Sequence, residues 1–278
     1  MPNYKKAKVN KFRIGMLRIS CLYEKALFLL FVIIFFSNLP KNASGADTKE
    51  IAEGFFYHNQ YQKALEYYLI TLENQKEDSE IYYRIGLCYF LLQQSDKSLS
   101  YWTKAQELNP GIFKGRIFRV PASSMAPTLI VGDHILIDQD YYKHKEILQG
   151  DVIVFLSPEN QKRSHIRRVI GLPGDKIEIR NKEVYIDGKK FFDKNAVFLD
   201  SKIMPGELIP RDNYGPKTVP QENYFVLGDN RDFSLDSRLF GFVGRGLIFG
   251  KALIIYFSSP DRASMENAKP ERAGMLIE

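Results

Sequence analysis

The chain has 278 residues, 45% of them hydrophobic, so it can bury a sizeable core and is too long for a single small module. Its net charge of +6 is concentrated in residues 1–25, where Lys5, Lys6, Lys8, Lys11, Arg13, Arg18 and Lys25 are opposed by Glu24 alone. The remainder is balanced, which argues against a nucleic-acid partner, and two cysteines without metal-ligand spacing, Cys21 and Cys88, exclude a disulfide scaffold and a zinc module. Both read as small buried hydrophobes, not bridged to each other.

The basic start runs into an uncharged stretch, Ala26 to Phe36, followed by Ser37-Asn38-Leu39-Pro40. That stretch is shorter than the roughly 20 residues needed to cross a bilayer. It fits the apolar region of a cleaved export signal, with Ala43-Ser44-Gly45-Ala46 supplying small residues downstream. It also fits a short uncleaved anchor, extended by Ile19 to Tyr23, with Arg18 and Lys25 reaching to the interface. Under either reading residues 1–45 engage the lipid bilayer. The lysines then stay in the cytoplasm and the chain beyond residue 45 lies on the outer face.

Residues 46–112 repeat themselves. Ala64, Tyr68 and Thr71 recur as Ser98, Trp102 and Ala105, and Ala52 and Phe55 recur as Gly86 and Tyr89. The spacing is the 34-residue period of paired helices, and the segment resembles two tetratricopeptide repeats. Small residues let the helices approach and aromatics fill the gaps. Asn109-Pro110 ends the second repeat. Two repeats are fewer than a self-sufficient stack requires. Packing on the rest of the chain, dimerisation and a protein partner in the groove all stay open.

From Phe113 the pattern changes to short β runs bounded by turns: His134–Asp138, Asp151–Leu156, Ile166–Ile170, Lys176–Ile179, Glu183–Ile186, Tyr224–Leu227 and Leu247–Phe257. Asp187-Gly188 and Pro173-Gly174-Asp175 are turn signals. The expected fold class is α+β: a membrane segment (1–45), a short helical repeat region (46–112), a β-rich domain (113–262) and a polar C-terminal tail (263–278).

Three segments of the β-rich domain carry chemistry. Pro121-Ala122-Ser123-Ser124-Met125-Ala126-Pro127-Thr128-Leu129 is a loop of small residues followed by Val131-Gly132-Asp133. Taken alone, a turn whose hydroxyls bond the nearby backbone accounts for it. The others are Ser164-His165-Ile166-Arg167-Arg168-Val169-Ile170-Gly171-Leu172-Pro173-Gly174-Asp175 and Gly228-Asp229-Asn230-Arg231-Asp232-Phe233-Ser234-Leu235-Asp236-Ser237-Arg238. In this order, with Tyr214-Gly215-Pro216 and Val219-Pro220 between the last two, they resemble the boxes of type I signal peptidases, the membrane-bound serine endopeptidases that remove export signals.

The resemblance covers roughly residues 115–260. It implies Ser124 as nucleophile and Met125 as part of the pocket for the small residue before the cut. It implies the Ser124 amide as an oxyanion donor, with Ala122 where some relatives carry a second donor hydroxyl. Ser234, Asp236 and Arg238 would support the site, all on one side if that segment is extended. No metal or organic cofactor is implied. The partners implied are signal-bearing precursor proteins, and the location is the bacterial cytoplasmic membrane, single-pass, with the catalytic domain on the outer face.

The departure is Arg167, which stands where the family has its lysine general base. A buried lysine can lose its proton near neutrality, but arginine cannot. Arg167 is then a fixed cation beside another base, or the protein is a catalytically silent signal-peptidase-like binding protein. His165 is the alternative base: it shares a strand face with position 167 and titrates near working pH. Eukaryotic relatives resembling the family use histidine at the lysine position itself. Lys162, in a polar run, reads as solvated.

Overall fold

The computed structural model describes residues 45–259 and 269–278. The chain divides into units 1–48 and 49–278, and all that follows concerns the second, apart from the first four residues of the first helix. The apolar stretch 26–36 and Cys21 lie outside the described residues. No helix among the described residues is long and apolar enough to cross a membrane.

Four helices come first: α1 (Gly45–Tyr57), α2 (Tyr61–Asn74), α3 (Ser79–Leu91) and α4 (Ser95–Leu108). The third and fourth begin 34 residues after the first and second. The turns repeat as well: Asn59 and Gln93, equivalent positions, both adopt φ of 59°. Ala52, Ala64, Gly86 and Ser98 are buried. Gly86 shows why they must be small, since a Cβ there would lie 2.3 Å from Cδ1 of Trp102. Trp102 donates its indole N–H to the Tyr83 carbonyl at 3.1 Å and stacks on Phe90. Asp78 caps α3, accepting from the amides of Glu80 and Ile81 at 2.8 and 3.3 Å. Cys88 is buried among these side chains, and burial pushes its thiol up to about 12.

The strands are β1 (Ile117–Arg119), β2 (Asp133–Asp138), β3 (Val152–Leu156), β4 (Ser164–Gly171), β5 (Lys176–Arg180), β6 (Glu183–Ile186), β7 (Lys189–Lys190), β8 (Tyr214–Thr218), β9 (Asn223–Leu227), β10 (Val243–Gly244) and β11 (Ile248–Ser258). They form an antiparallel seven-stranded sheet, β1-β2-β11-β3-β4-β9-β10, and a four-stranded one, β7-β6-β5-β8. Asp187 and Gly188, with φ of 51° and 77°, make the two-residue turn joining β6 to β7. The helices within this part, α5 (Tyr141–His144) and α6 (Ser237–Phe240), have one turn each.

The helical repeats are not a free spacer. Leu136 of β2 and Ile254 of β11 join the core of the four helices, so the sheet completes a stack that two repeats leave open. Arg84 of α3 donates to Asp138 of β2 at 2.9 Å, both buried. The alternating neighbours Ile135, Ile137 and Ile255 point the other way, into a cluster with Val120, Met125 and Leu129. One sheet thus carries the helices on one face and anchors the Ser124 loop on the other.

Residues 269–278, expected as part of a polar tail, return to the sheet instead. Ile277 is buried, its amide bonds the Leu253 carbonyl at 2.9 Å, and Arg272 grips Asp133 at 3.0 and 2.6 Å. An apolar residue opposite an exposed strand edge outweighs the local polarity.

Candidate active site

Between β1 and β2 the chain makes one tight 3-10 turn, Ser123–Met125. Met125 is sunk in the core cluster beneath, and its carbonyl accepts from the Leu129 amide at 2.8 Å. This clamps the turn from below and leaves Ser124 8% exposed at the surface of the cluster. From the far segment, the Asn230 amide donates to the Ser124 carbonyl at 3.1 Å and its side-chain amide to the Ser123 carbonyl at 3.2 Å. Gly228 makes that contact sterically possible: a Cβ would meet the Ser124 carbonyl oxygen at 2.4 Å and Ser234 Oγ at 2.3 Å. The structure therefore brings Ser124 and Ser234 against the same backbone.

Asp236 is fully buried and organises the last box. It accepts from the Gly228 amide at 3.1 Å and from Nε and Nη2 of Arg238, both at 2.8 Å. Burial alone would raise its pKa, but the Arg238 charge and hydrogen bonds outweigh that, and the carboxyl is held below its ordinary range. Among the described residues the Ser234 hydroxyl lacks a hydrogen-bond partner of good geometry, yet its closeness still helps keep Asp236 ionised.

The expectation that Ser234, Asp236 and Arg238 lie on one side of an extended segment is corrected. Asp236 is the N-cap of α6, and Arg238 lies in that helix. The helical turn, not strand alternation, brings the guanidinium back to the carboxylate. An aspartate that caps a helix start is stabilised by the free amides there, and this overrides extension.

Arg167 lies on β4, 6% exposed. Its Nε and Nη2 donate to the Leu235 carbonyl at 3.0 and 2.6 Å, and Nη1 donates to the Ile166 carbonyl at 2.6 Å. No carboxylate of the described residues lies within 4.0 Å of it. Burial brings its pKa down to about 10, helped by Arg238 and opposed by Asp236. It stays a cation at neutral pH and has no lone pair to offer.

Its neighbour Arg168 is the contrast: it makes a bidentate pair with Asp229, both bonds 2.8 Å, between residues 2% and 0% exposed. His165, two residues before Arg167, is half-buried between the rings of Phe155 and Phe240. Burial, then the charges of Arg167 and Arg163, hold its pKa below the usual 6.5, so the imidazole is neutral at pH 7. Lys162 is exposed.

Ser124, Met125, Ala122, His165 and Arg167 line one cleft of about 610 Å³, together with Phe233 and Leu235. It offers an apolar floor, a hydroxyl, a neutral imidazole and a guanidinium. Among the described residues no cluster of His, Cys, Asp and Glu could hold a metal ion. Three contributors had no role in the sequence reading. Asn230 and Gly228 sit inside the box that holds Ser234, and their adjacency was the available signal. The Leu235 carbonyl, which fixes Arg167, left none, because a main-chain acceptor has no residue identity.

The sequence was also compared with known proteins. Residues 110–257 match the family described as signal peptidase, peptidase S26, and residues 79–112 match the tetratricopeptide repeat. The chain is 36% identical over 163 residues to the probable signal peptidase I-2 of Synechocystis sp., across 57% of this chain and 70% of that protein. It is 33% identical over 162 residues to signal peptidase IB of Staphylococcus aureus, across 55% of this chain and 83% of that protein. A crystal structure of a signal peptidase I from Enterococcus faecalis aligns with a TM-score of 0.32 at 34% identity, covering 38% of this chain and 97% of that one. With the family match spanning more than half of its residues, the chain belongs to the signal peptidase family, peptidase S26.

Proposed function

We propose that this protein is a membrane-tethered serine endopeptidase that removes signal peptides from exported precursors. The observation that carries this reading is Ser124, lining the cleft and held there by the Gly228–Asn230 segment, which also packs against Ser234. Ser124 Oγ attacks the scissile carbonyl, forming an acyl-enzyme and releasing the mature chain's amine. Water then releases the acyl group as a carboxylate. Met125 bounds the pocket for a small residue, and the Ser124 amide faces the developing oxyanion.

The hydroxyl proton passes to His165, which is the neutral nitrogen base among the cleft residues. Arg167 serves as a fixed cation. Residues 1–45 form the tether, 46–112 the repeats that recruit a protein partner, and 113–262 the catalytic domain, on the outer face of the cytoplasmic membrane with 263–278 as the C-terminal segment.

The test is cleavage of a signal-bearing precursor by the full-length chain. Ser124→Ala is expected to lower the rate by about 10³-fold or more. With a histidine base the rate rises with pH through the imidazole's titration and levels off above it. Its midpoint lies below 6.5, because the folded protein disfavours the protonated ring. Cleavage retained by His165→Ala would remove the histidine from the mechanism.

A second reading has its own support. Three of the five N–H donors of Arg167 are committed to carbonyls and its proton is retained, which suits a catalytically silent protein that captures signal-peptide-like segments. An inactive wild type that gains cleavage as Arg167→Lys would establish this alternative.

A further inference from the structure

We propose that the cleft is a receptor for peptides ending in a free α-carboxylate, with Arg167 binding the carboxylate. The site is that of the function proposed above, but the inference concerns the ligand retained there and holds whether or not Ser124 cleaves.

The argument starts from the guanidinium. It carries five N–H donors. Among the described residues three are used, Nε and Nη2 on the Leu235 carbonyl and Nη1 on the Ile166 carbonyl. One N–H remains on each terminal nitrogen. Those carbonyls hold the planar fork in one orientation, so little side-chain entropy is left to lose on binding. The charge has no close ion-pair partner, because no carboxylate of the described residues lies within 4.0 Å and Asp236 acts on it only from farther away. A buried cation without an ion-pair partner is costly, and an incoming anion would relieve that cost.

The surroundings favour an anion too. Arg119, Arg163 and Arg167 line the cleft and no aspartate or glutamate does. Among the described residues the other buried arginines pair with carboxylates: Arg84 with Asp138, Arg168 with Asp229, Arg231 with Asp193, Arg238 with Asp236. Arg167 is the exception, and it shares its cleft with Ser124.

The kind of anion follows from the cleft's other walls. Met125 and Ala122 give the cleft an apolar wall, which suits an apolar side chain. A peptide seated with its last carbonyl carbon at Ser124 presents a carboxylate there once the bond beyond it is gone. A guanidinium with an N–H left on each terminal nitrogen can offer two donors to two carboxylate oxygens. A lysine at position 167 would supply a point charge without that fork. The site therefore suits the product of a cut after a small residue rather than the uncut chain.

The experiment compares two labelled peptides of one sequence, both ending in alanine, one with a free carboxylate and one amidated. Their affinity for the full-length chain is measured by fluorescence anisotropy at low salt. Neither has a bond beyond the alanine, so cleavage does not enter. The acid is expected to bind at least tenfold tighter than the amide, with the advantage shrinking as salt rises. Arg167→Gln should erase the difference, and Arg167→Lys should restore part of it.

Equal affinities for the two peptides in the wild type would overturn the proposal without any appeal to variants. So would an acid preference that survives Arg167→Gln. A third peptide, amidated but with aspartate in the last position, separates a terminal from a side-chain carboxylate. If it binds as tightly as the acid, the terminal assignment is wrong. Failure of precursor cleavage, by contrast, bears on the function of Ser124 alone and leaves these affinities unaffected.

Discussion

The helical repeats and the cleft are built on opposite principles. In the repeats, small and aromatic residues recur at one period and bury apolar surface against each other, as Gly86 does beneath Trp102. Around the cleft the buried groups are charged: Arg168, Asp229, Asp236 and Arg238 are all nearly inaccessible. Apolar contacts are tolerant and additive, whereas a buried charge tolerates nothing but its partner. The comparison teaches that the repeats can vary by small steps while the site can only change by whole exchanges.

That contrast can be broken most sharply at Asp229. Asp229→Ala leaves Arg168 buried without its carboxylate and is expected to lower stability by about 3–5 kcal/mol. Urea denaturation of the full chain measures this, and a loss below 1 kcal/mol would mean that the pair contributes little and the site is not charge-organised. A smaller effect is expected in the repeats. Gly86→Val puts carbon atoms where Trp102 already stands and should cost about 1–3 kcal/mol. The same denaturation curve reads it, and an unchanged midpoint would show that the helices separate freely. The smallest effect belongs to the repeat surface: Lys104→Ala removes an exposed ion pair with Glu107 and should leave the midpoint where it was.

A fourth test sharpens the charge argument through pH. Asp236 is held ionised below its ordinary range, so the unfolded chain binds its proton more readily than the folded one. Its contribution is complete above the ordinary carboxyl pKa near 4 and is lost as pH falls through the lower folded value. Asp236→Asn should flatten that part of the acid-denaturation profile followed by circular dichroism. An unaltered profile would assign acid sensitivity to other carboxylates.

The two regions also differ in how far they can be read without a structure. The spacing of Ala64 and Ser98, or Ala52 and Gly86, announces paired helices, because helix contacts are local and recur at the period of the fold. The strands from β2 to β6 were legible for the same reason: alternation and turn residues act over a few positions. What the pattern does not disclose is which surface the helices cover. Leu136 and Ile254 lie far from the repeats in sequence, and only folding places them in the repeats' core.

Ser124, Arg167 and the Ser234-to-Arg238 box could be picked out as segments because the motifs are contiguous, and the resemblance marked Arg167 as standing where a lysine is implied. Sequence by itself determined the chemistry at hand: a hydroxyl, a guanidinium that keeps its proton, an imidazole and a carboxylate–arginine pair. Only the tertiary structure decided their relations. It made Asp236 a helix cap rather than part of a strand, gave Arg168 a carboxylate and Arg167 two carbonyls, and joined Gly228 to Ser124. The reason is physical: residue type sets what a group can donate or accept, but burial and partner are properties of the space around it, which distant segments and nameless main-chain atoms supply.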